Sequence, residues 1–137
     1  MRSMADQVRA ALAQRPEIAF AILFGSAASG NMGPSSDVDI AVRFRPGRAP
    51  AGWDFGGLVM HLESALSRRV DLIDLAATSS TLLHFEMAKG CLVKGDENEF
   101  VDFKCRAFRN WRDFRPRFER MAKAFAASVL GSAGNET

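Results

Sequence analysis

Residues 18–24, IAFAILF, carry no polar side chain. Successive side chains of a strand point to opposite faces, so a strand apolar at every position must be covered on both. The stretch is too short to cross a membrane. A chain built on such a strand needs helices around a sheet, and the flanking periodicities supply them. In SMADQVRAAL, Ser3 and Asp6 have the spacing of a capping box, and Met4, Val8, Ala11 and Leu12 share one helical face. DVDIAVRF (37–44) reads as a second strand. Phe55, Val59, Leu62 and Leu66 keep helical spacing across 53–66 despite Gly56 and Gly57. RVDLIDL (69–75) is a third strand, SSTLLHFEMAKG a capped helix ending at Gly90, and CLVKG a short fourth strand. Residues 97–130 are helical, with Pro116 predicting a break or kink. The order α-β-β-α-β-α-β-α predicts an α/β or α+β domain, a small mixed sheet flanked by helices with a long C-terminal helical segment.

The 137 residues suffice for one domain with a sizeable core, here assigned to 1–130, with 131–137 (GSAGNET) read as a disordered tail. A net charge of +2 is too small to argue for nucleic-acid binding. No signal-peptide core and no membrane-spanning stretch is visible, and Cys91 and Cys105 have neither metal nor redox spacing. A cytoplasmic protein with reduced thiols is expected. His61 and His84 lie on helical segments without metal-ligand spacing and read as structural or surface residues.

Asp is depleted in strands, yet Asp37 and Asp39 stand at the head of the second one, and Asp39 lies among Val38, Ile40 and Val42. Being two apart, they project from the same face. Carboxylates that close raise each other's pKa unless a cation neutralises them. Mg²⁺ suits such a pair, because it takes one or two carboxylates together with substrate phosphates. The loop ahead, GSAASGNMGPSS, begins with Gly25 and Ser26 directly after the apolar strand, where backbone N–H groups can face a phosphate. An Asp-rich turn alone can cap a strand without chemistry. The four positions together, Gly–Ser, ten residues, then Asp–x–Asp, arise by chance at about 10⁻⁵ per start site, which favours a metal–nucleotide site. Gly30 and Gly33 read as turn glycines.

GSAASGNMGPSSDVD resembles the Gly–Ser–x10–Asp–x–Asp signature of the DNA polymerase beta-like nucleotidyltransferase superfamily. The first helix and LFGS…SDVDIAV…VDLIDL look like its minimal nucleotidyltransferase (MNT) branch, which includes the antitoxins of MNT–HEPN toxin–antitoxin pairs. The resemblance implies the nucleotidyltransferase fold and transfer of AMP from ATP to a hydroxyl, with two Mg²⁺ ions (or Mn²⁺) held by three carboxylates. The acceptor it implies is a tyrosine of a cognate HEPN toxin. Asp37 and Asp39 would hold the metals, and Gly25, Ser26 and Ser36 the nucleotide. The third carboxylate is expected from RVDLIDL, where Asp71 and Asp74 point to opposite faces. The family pattern favours Asp71 as ligand, placed to take or orient the acceptor's proton, while Asp74 reads better as a turn cap. One departure stands out. Where the family often carries arginines after Gly–Ser, this chain has Ala27, Ala28 and Ser29, which predicts a weaker grip on a triphosphate.

Phe100, Phe103, Ala107, Trp111, Phe114, Phe118, Met121 and Phe125 recur at steps of three and four, interleaved with arginines. Most of this stripe is expected to pack on the sheet or the first helix, and its distal half could present a partner surface. Two other readings remain at this stage: an antitoxin that only binds its toxin, and a transferase for small molecules such as antibiotics.

Overall fold

The computed structural model describes residues 2–134. Strand β1 (Ile18–Phe24) is buried at all seven positions, as its composition requires. It is central in a four-stranded sheet of order β3-β2-β1-β4. β2 (Val38–Phe44) and β4 (Cys91–Gly95) flank β1 antiparallel, and β3 (Val70–Asp74) adds to β2 in parallel. On one face lie α1 (Met4–Leu12) and α3 (Gly52–Leu66), whose Val8, Leu12, Leu58, Leu62 and Leu66 pack on Leu23, Ile40 and Val42. The other face is covered by α4 (Thr81–Ala88) and the first turns of α5 (Glu97–Gly134). There Phe100 and Phe103 bring their rings 6.4 and 6.1 Å from that of Phe20. Two cores on one sheet explain the unbroken apolar run of β1.

Local signals set the helix ends. Ser3 Oγ accepts the Asp6 amide at 3.1 Å, and Ser80 Oγ accepts that of Leu83 at 3.2 Å. A 3₁₀ turn (Leu75–Ala77) leads out of β3, capped by Asp74, whose carboxylate accepts the Ala76 amide at 3.0 Å. This is the cap read for Asp74 from the sequence.

Two sequence expectations change at the C-terminus. Pro116 does not break the helix: α5 continues through it. Proline removes one amide and crowds the carbonyl four residues back. Here that carbonyl belongs to the exposed Arg112, which water can serve. Trp111 and Phe118, rings 5.4 Å apart, and Arg115 and Glu119, 2.8 Å apart, join the turns on either side. The tail assigned from residue 131 is helical through Gly134, and 135–137 lie outside the described residues. The aromatic stripe also divides. Phe100, Phe103 and Ala107 are buried against β1 and α4 rather than α1, whereas Met121, Phe125, Val129 and Leu130 are exposed.

Candidate active site

The chain leaves β1 through Gly25, whose φ of 72° and ψ of −148° suit only glycine, and enters the short helix α2 (Ser26–Ser29). The Gly25 carbonyl accepts the amides of Ala28 and Ser29, both at 3.2 Å. Gly30, left-handed at φ 79°, ends α2. The amides at the start of α2 have no partners within the helix and are open to an anion. A Cβ on Gly25 would overlap Asp39 Oδ2. The absence of a side chain therefore lets the loop and the carboxylate share one spot.

Asp39 stands opposite Phe24 of β1 and, in the parallel ladder, opposite Asp71 of β3. Register partners point to the same face, so the structure brings Asp71 beside Asp39, while Asp37 lies just before β2, near enough for its charge to act on Asp39. Val38, Ile40, Val42 and Leu72 face the α1/α3 core, which leaves the carboxylates on the α4/α5 side. Burial raises the pKa of Asp39, and the charges of Asp71 and then Asp37 raise it further. None of the three has an ion-pair partner among the described residues. Carboxylates this close repel one another unless a cation lies between them, and hard oxygens of this kind are donors that Mg²⁺ takes. Among the described residues no three His, Cys, Asp or Glu side chains are already gathered around one point. Asp37 and Asp71 are exposed.

Ser36 has a structural task. Its hydroxyl accepts the Gly33 amide at 2.9 Å, closing the turn ahead of Asp37. Arg68, just after α3, clamps the same turn by donating to the carbonyls of Gly33 at 2.8 Å and Ser36 at 3.4 Å. Arg68 was not visible from the sequence, because its partners lie more than thirty residues away. Removing this clamp with Arg68→Met should lower stability by about 1–2 kcal/mol in urea unfolding. It should also lower kcat more than it raises KM, with partial recovery in Arg68→Lys. An unchanged kcat would leave Arg68 a purely structural residue.

His61 Nε2 lies 3.0 Å from the Ala11 carbonyl, linking α3 to α1, and the His84 ring meets Phe103 edge-on. Among the described residues no helix is long and apolar enough to cross a membrane.

A Gly–Ser loop leaving a central strand, with carboxylates on the next two strands, defines a nucleotidyltransferase architecture. Residues 6–99 match the family described as polymerase beta, nucleotidyltransferase, and the chain belongs to that family. Among solved structures, a toxin–antitoxin with AMP-PNP superposes with a TM-score of 0.74 at 24% identity, covering 90% of this chain and 99% of the other. A chain of the toxin–antitoxin MntA–HepT gives 0.67 at 22% identity, with coverage of 90% and 97%. A third structure, tri-AMPylated Shewanella oneidensis HEPN toxin in complex with MNT antitoxin, gives 0.68 at 22% identity, with coverage of 90% and 96%. At these identities the likeness is one of fold. No curated protein gives a match to the sequence.

Proposed function

We propose that this protein is a metal-dependent adenylyltransferase that moves AMP from ATP to a tyrosine of a cognate HEPN-type toxin, acting in the cytoplasm as the antitoxin. The observation that carries the reading is the Asp39–Asp71 register pair with Gly25 against the Asp39 carboxylate. Asp37, Asp39 and Asp71 would hold two Mg²⁺ ions, with Mn²⁺ as a substitute. When bound, the ions neutralise the triphosphate and polarise the reacting phosphate. The remaining work falls to the chain. Gly25 and Ser26 offer backbone amides to the phosphates, and Ser36 keeps the connecting turn closed. Asp71 lies on the edge strand with its side chain exposed, open to a hydroxyl brought by a macromolecule. In the reaction the acceptor oxygen forms a bond to the α-phosphorus, the bond to pyrophosphate breaks, and Asp71 orients the hydroxyl or takes its proton. Solved structures similar in fold include toxin–antitoxin complexes, one with AMP-PNP and one with an AMPylated toxin, which supports both nucleotide and partner. The exposed distal part of α5, with Met121 and Phe125, suits docking to that partner.

The test is to mix the protein with the toxin encoded beside it, ATP and Mg²⁺, and weigh the toxin. One or more adenylyl groups should appear on tyrosine, and Asp37→Ala should abolish the addition while leaving the complex intact. The arginine-free loop keeps a binding-only antitoxin as the second reading. Neutralisation by both wild type and Asp37→Ala without any mass change would establish it. Transfer to a small hydroxyl compound instead would remove both readings.

A further inference from the structure

The loop after Gly25 carries no charge at Ala27, Ala28 or Ser29, yet the site has to hold a polyanion beside three carboxylates. The fold brings a cation from elsewhere. At the end of α4, Gly90 lies flat against β1: a Cβ there would overlap the Leu23 carbonyl and stand 2.8 Å from Ile22 Cγ2 and 2.9 Å from Phe24 Cβ. That contact fixes the preceding residue, Lys89, next to the point where β1 passes into Gly25. Between α2 and α4 opens a cleft of about 340 Å³, lined by Gly25, Ala28, Ser29, Glu86, Lys89 and Gly90. Lys89 is the one cation among these lining residues, and Glu86 the one acid. They pair with each other, Lys89 Nζ lying 3.0 Å from a Glu86 carboxylate oxygen, and the ammonium sits 4.9 Å from the centre of the Phe85 ring.

We propose that Lys89 supplies the positive charge missing from the loop, binding the terminal phosphates of the nucleotide, and that Glu86 holds Lys89 until the nucleotide displaces it. This rests on the reading of the site as one for ATP. Both side chains of the pair are half exposed, and exposed ion pairs of this kind are weak. A polyphosphate offers Lys89 more charge than one carboxylate does, and an ammonium on a flexible stem is a point-charge phosphate binder. Gly25 lines the cleft and also abuts Asp39, so a triphosphate held over Gly25 can span from the carboxylates to Lys89.

Calorimetric titration with Mg·ATP, AMP and inorganic tripolyphosphate tests the assignment. Lys89→Met should weaken Mg·ATP and tripolyphosphate by about tenfold and leave AMP unchanged, because AMP lacks the terminal phosphates. Lys89→Arg should restore most of the affinity. Glu86→Gln should act in the opposite direction, tightening Mg·ATP by about threefold as it frees Lys89 and removes a negative charge. Equal Mg·ATP affinity in wild type and Lys89→Met, with binding still abolished by Asp39→Asn, would overturn the assignment of Lys89 and leave the ATP site standing. Weaker binding in Glu86→Gln would overturn the displaced pair. A wild type that binds neither Mg·ATP nor tripolyphosphate would remove the site reading and this inference with it.

Discussion

Asp39→Asn should sharply lower nucleotidyl transfer and, in the metal-free protein, raise the melting temperature. The two effects have one origin. Asp39 is partly buried between Gly25 and Asp71, and burial, then Asp71 and Asp37, all push its pKa above the ordinary carboxylate range. A carboxyl with a raised folded-state pKa binds its proton more tightly in the folded than in the unfolded chain. Its contribution is therefore most favourable at low pH and is lost as pH rises from the unfolded value through the folded one. At neutral pH the ionised group opposes folding. Asparagine keeps the shape and removes the charge, so the metal-free variant should be more stable than wild type at pH 7. That advantage should vanish below the unfolded pKa, where both side chains are neutral. Mg²⁺ should invert the order. A ligand that binds only the folded state stabilises it in proportion to the logarithm of its concentration over Kd, so wild type should gain from Mg²⁺ and Asp39→Asn should not. Transfer activity should fall by about 10²–10³-fold or more, since the variant loses charge stabilisation where phosphate charge develops. Thermal melts at pH 3 and 7, with and without Mg²⁺, read all of this. An Asp39→Asn protein that melts below wild type at pH 7 without metal would show that the carboxylate is anchored by a favourable partner and is not waiting for a cation.

Much of this site could be read from the chain because its parts are local. The alternation in DVDIAV predicts Asp37 and Asp39 on one face from local pattern alone; the strand begins at Val38, and Asp37 lies just ahead of it. The apolar IAFAILF demands layers on both sides, and α1/α3 and α4/α5 supply them. The choice between Asp71 and Asp74 is different in kind. Strand alternation separates them but does not say which faces Asp39; the β2–β3 register does, pairing Asp39 with Asp71, while Asp74 turns to cap Ala76. Arg68 and Lys89 leave no mark in the sequence, since an arginine after a helix or a lysine near a helix end is ordinary. Their roles come from where α3 and α4 deliver them. Pro116 misleads for the opposite reason. It is a strong local signal, but it weighs little on an exposed helix whose neighbouring turns are joined by Trp111 and Phe118.

Gly25→Val should eliminate ATP binding, whereas Gly30→Ala, five residues on, should leave it nearly intact. Both glycines have positive φ, 72° and 79°, so a rule that counts turn glycines would treat them alike. They differ in ψ and in surroundings. Gly30, at ψ 7°, is in the ordinary left-handed region, and a Cβ on it would meet nothing within 4 Å. Alanine there should cost about 1 kcal/mol. Gly25, at ψ −148°, occupies a region essentially closed to other residues, which alone costs about 1–3 kcal/mol. Its new Cβ would also run into Asp39 Oδ2. The carboxylate must then rotate away or the loop must lift off it, and either movement separates the loop amides from the Asp39 carboxylate. Stability should fall while the fold persists, because the two cores on either side of β1 do not include Gly25. Calorimetry with Mg·ATP and a circular dichroism melt on both variants separate loss of the site from loss of the fold. If a folded Gly25→Val protein binds Mg·ATP as wild type does, the phosphates do not lie over Gly25, and the loop's role passes to other backbone.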